Sequence, residues 1–173
     1  IKSSAASDVY KRQEESMIER RSNGKPYYIG NDRENEIFFN LSHGQELIAV
    51  ACADCEVGID AESMRKVHEN AMRRTCTRKE WGWLQQSEQK ELDFLRLWTL
   101  KESYMKMTGR GMSLPLDSFE VVPTAEGFVL GKSSERPCFF ETMEFDGYIF
   151  SVSSERAFSL HNPLEIAFDD IYV

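Results

Sequence analysis

Three carboxylates and a lysine are the residues of this 173-residue chain whose types and spacing could do chemistry. In "WTLKESYMKMTGRG", Trp98–Gly111, the stretch reads as the end of an amphipathic helix whose apolar stripe is interrupted by Glu102. Glu102 follows Trp98 by four residues and precedes Lys106 by four, so all three share one helix face. An exposed Glu–Lys pair at that spacing is an ordinary surface feature contributing about 0.2–0.5 kcal/mol. On the border of a buried face, however, a carboxylate needs a cation or a hydrogen-bond donor. In "GIDAE", Asp60 and Glu62 stand two apart on a strand-like segment and point to the same side. Side by side they repel and raise one another's pKa unless a cation lies between them. If that side faces Glu102, three hard oxygen donors converge, a set suited to Mg²⁺, with Mn²⁺ also accepted. If it faces solvent, the pair is unremarkable.

Other residues are weaker signals. "NLSHG" puts Ser42 and His43 at a strand end before a turn. Neighbouring strand residues point to opposite faces, so His43 is not placed to activate Ser42, and no G-x-S-x-G elbow surrounds them. Either could donate to a phosphate, or the histidine could be structural. Lys25 in "GKP" reads alone as a solvated lysine. The C-x-x-C of Cys52 and Cys55 lacks a second ligand pair at zinc spacing and lies in a strand-like run, against both zinc and redox roles. His68 and His161 are isolated, and neither a P-loop nor a dinucleotide glycine fingerprint is present.

These residues need elements to position them. "IFFNLSH", "LIAVACA" and "EVGIDAE" read as strands, the first two joined by a turn around Gly44. On the third, Val57, Ile59 and Ala61 share one face, Gly58, Asp60 and Glu62 the other. "HENAMRRTC" reads as a short helix, and "TRKEWGWLQQ" opens with Thr77 and Glu80 at capping-box spacing. "EQKELDFLRLWTLKESYMKM" is a longer helix, with Leu95, Trp98 and Met105 marking its buried face and Gly109 and Gly111 ending it. Then "SFEVVP", "GFVLG", "CFFETMEF", "YIFSVSS" and "LEIAF" read as short strands. Turn signals stand at Asn23-Gly24 and Gly30-Asn31. Helices beside an antiparallel sheet give an α+β class.

Hydrophobic residues make up 41% of the chain, enough for a packed core. No apolar run is long enough to span a bilayer and no secretory signal is visible. The four cysteines, Cys52, Cys55, Cys76 and Cys138, show no disulfide framework and fit a reducing cytoplasm. "SSAASDVYKRQ", Ser3–Gln13, back-translates as an adapter used in transposon-based sequencing libraries, so residues 1–13 read as a non-native segment; a native Ser/Ala-rich tail is the alternative. Removing its net charge of +2 takes the chain from −8 to −10, which argues against nonspecific nucleic-acid binding.

In order, "GKP", "FNLSH", "GIDAE" and "WTLKESYMKMTGRGMSLPLDSFEV" resemble the 4′-phosphopantetheinyl transferase superfamily, in its larger, surfactin-synthetase-activating type. The likeness covers Gly24 to Val122 well and continues loosely beyond. It implies a pseudo-dimer of two similar α+β halves with the active site between them. Residues 14–56 would be a remnant of the first half and 57–173 the second, with the metal site. It further implies transfer of phosphopantetheine from coenzyme A to a serine of an apo acyl or peptidyl carrier protein, releasing adenosine 3′,5′-bisphosphate. Such carriers serve fatty-acid, polyketide or nonribosomal peptide synthesis. Asp60, Glu62 and Glu102 would hold Mg²⁺, and Glu102 would also act as base. Lys106 would contact the pyrophosphate, Ser42 and His43 the nucleotide phosphates, and Lys25 the adenosine end. The role of Lys101 is left open. The family's full-length form is expected to be a monomer with neither nucleic-acid nor membrane partners. The family pattern also uses bases from a stretch preceding these motifs. Here the adapter-like segment stands in that place, and Lys11, Arg20 and Arg21 do not match. An incomplete first half, weak coenzyme binding and exposed apolar surface are therefore expected. A Mg²⁺-dependent phosphohydrolase and a noncatalytic coenzyme A or carrier-protein binding remnant are the competing readings.

Overall fold

The computed structural model describes residues 18–28, 37–44, 46–131 and 137–166. The adapter-like segment, the turn at Gly30-Asn31 and the last two residues of "LEIAF" lie outside them. Two hairpins come first: β1 (Ile18–Arg20) with β2 (Pro26–Tyr28), and β3 (Phe38–His43) with β4 (Ile48–Ala53). Gly24, at φ +85°, supplies the left-handed residue of the first turn. Next come β5 (Val57–Ser63), α1 (Glu69–Thr75), α2 (Arg78–Leu84) and α3 (Lys90–Thr108), then β6 (Val121–Thr124), β7 (Gly127–Leu130), β8 (Phe139–Phe145) and β9 (Tyr148–Ser154). The last four strands and β5 form one antiparallel sheet in the order β5-β9-β8-β7-β6. Asp146 and Gly147, both at positive φ, make the tight β8–β9 turn. The class is α+β, as the motif order predicts.

The alternation read in "GIDAE" holds. Val57, Ile59 and Ala61 join Ala49, Phe150 and Val152 in a core on one side of the sheet. Gly58 and Asp60 face α3 on the other. The approach there is very close. A Cβ added at Gly58 would lie 2.0 Å from Ser103 O and 2.5 Å from Met107 N, both backbone atoms of α3. Small polar residues line this contact: Thr99 and Ser103 are fully buried, and Thr99 Oγ1 lies 2.6 Å from Ser151 Oγ of β9.

On its far side α3 meets a second core containing Met72 of α1, Leu84 of α2, Leu114, Phe119 and Val121. The helix is therefore sandwiched. It buries residues on most of its circumference, including Phe94, Leu97, Leu100, Tyr104 and Met107, where the sequence suggests a single apolar stripe. The stripe reading fails because the sheet-facing side is made of small and polar residues, which a hydrophobicity pattern scores as surface. Gly109, in the left-handed region, ends the helix as expected. "LEIAF" is not a strand in its described part: Leu164 and Ile166 pair with no neighbour and stay exposed. Just before it, Phe158 and Leu160 pack on the Val57–Ile59 core without forming a ladder.

Lys101 fixes α3 lengthwise. Its side chain is fully buried, and its ammonium donates to Leu116 O at 2.5 Å and Phe119 O at 2.9 Å while pairing with Glu80 Oε2 at 2.8 Å. All three of its hydrogens are thus used. Glu80 completes the capping box of α2 with Thr77, as its spacing predicts, and its other oxygen accepts from Val121 N at 2.8 Å. One ion pair therefore joins α2, α3 and the start of β6.

Two outcomes follow from this packing. Lys101→Met leaves the Glu80 carboxylate buried without its cation and is expected to cost about 3–5 kcal/mol in urea denaturation. Gly58→Ala drives a methyl into backbone that has no side chain to move aside. It is expected to cost about 3 kcal/mol or more, measured the same way, with a loss exceeding that of Gly82→Ala, where nothing lies within 4 Å of the added carbon.

Candidate active site

Three elements meet at a cleft of about 310 Å³. The end of β3 contributes Leu41, Ser42 and His43, β5 contributes Asp60, Ala61 and Glu62, and α3 contributes Trp98, Glu102 and Lys106. Strand periodicity turns Asp60 and Glu62 to the α3 side. The four-residue spacing of Trp98, Glu102 and Lys106 aligns them along the helix face that borders β5. The Gly58–Ser103 contact brings the two elements close enough for side chains to touch.

They touch at Asp60. Its Oδ1 accepts from Lys106 Nζ at 2.7 Å and from Ser42 Oγ at 3.0 Å. Ser42 Oγ also accepts from Lys106 Nζ at 3.0 Å and from Ala61 N at 3.3 Å. One strand residue earlier in the same alternation, Asn40 Oδ1 accepts from Ile59 N at 3.0 Å, so β3 is joined to the free edge of β5 by side chains. Asp60 Oδ2 is buried and has no hydrogen-bond partner. Glu62 is paired with Arg65 at 3.2 Å on the rim. His43 is exposed and Ser42 buried, as their opposed strand directions require. Burial pushes the Glu102 pKa up, the negative charges of Asp60 and Glu62 push the same way, and Lys106 opposes them.

Ser42, His43, Asp60, Glu62, Glu102 and Lys106 line this cleft as the resemblance implies, whereas Lys25 does not. That lysine is half-buried, with its side chain 8% exposed, and its ammonium donates to Glu56 Oε2 at 2.6 Å, Val57 O at 3.0 Å and Met107 O at 3.1 Å. Burial lowers its pKa against the pull of Glu56. With three hydrogens on three acceptors it ties the turn before β2 to the start of β5 and the end of α3, and it has no donor left for a nucleotide. Asp60, Glu62 and Glu102 line the same cleft. Among the described residues no group of three His, Cys, Asp or Glu side chains is arranged to hold a metal ion. Asp60 pairs with Lys106 at 2.7 Å and Glu62 with Arg65 at 3.2 Å. Trp98 packs against the α3 core, as the sequence predicts, and also forms a wall of the cleft, as its 98–102–106 spacing with Glu102 requires. The four cysteines are free thiols, and burial raises Cys76 and Cys138 to about 12, so neither is a nucleophile.

Residues 56–154, the span that carries β5, α3 and the large sheet, match the family model of the 4′-phosphopantetheinyl transferase superfamily. The chain belongs to that superfamily. It is 30% identical over 145 residues to 4′-phosphopantetheinyl transferase gsp of Aneurinibacillus migulanus, covering 82% of this chain and 59% of that one. Against 4′-phosphopantetheinyl transferase ffp of Bacillus subtilis it is 35% identical over 123 residues, 68% of this chain and 55% of the other. With Sfp of Bacillus subtilis strain 168 it shares 34% over 119 residues, 66% and 53% of the two chains. This superfamily member thus spans little more than half the length of the curated relatives it matches. Its fold resembles a holo-(acyl-carrier-protein) synthase from Bacillus anthracis, solved in complex with CoA (3′,5′-ADP), with a TM-score of 0.51 at 18% identity over 57% of this chain and 93% of the other. The Thermotoga maritima holo-[acyl-carrier-protein] synthase gives 0.52 at 17% identity, over 57% and 61%. No helix among the described residues is long and apolar enough to cross a membrane.

The burial of Glu102, reinforced by the negative charge of Asp60, has a measurable consequence in the metal-free protein. Its carboxyl ionises less readily in the folded than in the unfolded chain. The folded state is therefore favoured by this group below the ordinary glutamate pKa of about 4.3, and loses that advantage as pH rises through the raised folded value. Glu102→Gln is expected to raise the melting temperature at about pH 7, and the gain should vanish by about pH 4, as read by calorimetry across that range.

Proposed function

We propose that this cleft transfers 4′-phosphopantetheine from coenzyme A to a serine of an apo acyl or peptidyl carrier protein, releasing adenosine 3′,5′-bisphosphate. The observation that carries the reading is the meeting at one cleft of His43 with Asp60, Glu62, Glu102 and Lys106, the last four inside the segment that matches the superfamily. Support for the donor comes from the coenzyme-bound synthase of similar fold, and for the reaction from the names of the relatives.

The donor set suits a divalent cation. Three carboxylates line the cleft against one ammonium, and Asp60 Oδ2 is a buried anionic oxygen with no partner, the kind of atom a cation would satisfy. Asp60, Glu62 and Glu102 would hold Mg²⁺, or Mn²⁺ in its place. When bound, such an ion neutralises pyrophosphate oxygens and so lets a neutral nucleophile approach phosphorus.

The chain's own residues account for the remaining steps. The carrier serine oxygen forms a bond to the phosphorus bearing the pantetheine arm. The bond from that phosphorus to the bridging pyrophosphate oxygen breaks, and the electron pair leaves with the adenosine 3′,5′-bisphosphate. Glu102, at the cleft, accepts the serine proton. Lys106, at the same cleft, stabilises the charge that grows on the leaving phosphate. His43, exposed at the rim, is available to donate to a nucleotide phosphate. In this reading residues 14–56 belong to a first half-domain and 57–173 to a second.

The test is to incubate the protein with coenzyme A, Mg²⁺ and an apo carrier and weigh the carrier. A phosphopantetheine mass gain is expected. Free phosphate without a mass gain would mark a phosphohydrolase, and coenzyme binding without turnover a binding module. Glu102→Ala is expected to lower the transfer rate by at least about 10²-fold while keeping the circular dichroism of the parent; near-normal turnover would remove Glu102 from the mechanism.

A further inference from the structure

Ser42 is the motif residue whose geometry does not agree with the role its motif suggests. A hydroxyl carries one donor and two acceptor sites. Ser42 Oγ gives its proton to Asp60 Oδ1 at 3.0 Å and takes hydrogens from Lys106 Nζ at 3.0 Å and Ala61 N at 3.3 Å. All three capacities are filled by the protein, and the side chain is buried. A phosphate oxygen is an acceptor and would need the one proton that a carboxylate already holds in a charge-assisted bond.

The same contacts divide the two oxygens of Asp60. Oδ1 has two partners, Ser42 and Lys106, whereas Oδ2 is buried with none. Asp60 as a residue is only 6% exposed and Oδ2 itself is buried, so solvent does not satisfy the second oxygen either. We propose that Ser42 is a positioning residue: it holds Asp60 Oδ1 on Lys106 and thereby leaves Oδ2 as the oxygen that Asp60 offers to a divalent cation. Ala61 N, on the same strand as Asp60, fixes Ser42 in turn, so the orientation is set by backbone. The inference rests on the metal reading above, and it moves Ser42 from the nucleotide to the cation.

The two assignments predict opposite splits. Mn²⁺ binding to the full chain is measured by calorimetry without nucleotide, and adenosine 3′,5′-bisphosphate binding is measured without metal. Ser42→Ala is expected to weaken Mn²⁺ by about 10–100-fold, the usual effect of losing a partner behind a metal ligand, and to leave nucleotide affinity within about twofold. Ser42→Thr, which restores the hydroxyl, should recover most of the Mn²⁺ affinity. Ser42→Cys, close in size but a weak donor, should reproduce the loss if the alanine variant does not fold. Unchanged Mn²⁺ binding with weakened nucleotide binding would return Ser42 to the phosphate and overturn the inference, as would loss of both affinities in a variant with native circular dichroism. A parent protein with no affinity for Mn²⁺ would sink the metal reading and this inference together. A parent that binds Mn²⁺ but modifies no carrier would sink the transferase reading and leave the role of Ser42 standing.

Discussion

A lysine ammonium with no water around it holds this structure in register. Lys101 is enclosed, and its three hydrogens go to a carboxylate and two carbonyls that belong to α2 and to the turn entering β6. A buried charge tolerates little displacement, because each lost partner leaves it desolvated without compensation. The consequence for function is positional. Lys101 is the residue just before Glu102 and five before Lys106, so the contact that pins one side of α3 also fixes where the opposite side presents its acid and its base. Gly58 sets the remaining coordinate, the distance from α3 to the sheet.

Electrostatics in the cleft follow from that placement. Three carboxylates have been brought to one cleft by strand and helix periodicity. Lys106 and Arg65 each take one, and burial beside Asp60 and Glu62 keeps Glu102 reluctant to ionise. The protein's own cations thus offset part of the negative charge of the cleft. Such an arrangement keeps a strongly acidic cleft folded, at the cost of one orphaned oxygen on Asp60.

Lysines that look alike in the sequence have diverged in use. Lys25 and Lys101 are struts whose hydrogens are exhausted by main-chain and carboxylate acceptors, while Lys106 remains partly exposed at the cleft. The distinction bears on how family motifs are carried over to a new chain. A motif residue can be retained for packing as readily as for contact with a ligand, and counting its free donors tells the two apart.

Much of this was legible from residue order alone. Period-two alternation put Asp60 and Glu62 on one face of β5, four-residue spacing put Trp98, Glu102 and Lys106 on one face of α3, and Thr77 with Glu80 announced the start of α2. The reason is that local periodicity and capping depend on neighbours within a turn or two. Three features required the assembled chain: the partners of Lys101, the diversion of Lys25 from the cleft, and the saturation of Ser42 by Asp60, Lys106 and Ala61. Each joins residues 15 to 82 positions apart. Which atoms meet over such separations is set by how closely α3 lies on the sheet, and that distance is decided by a single missing Cβ at Gly58 acting through packing, with no trace in any local pattern.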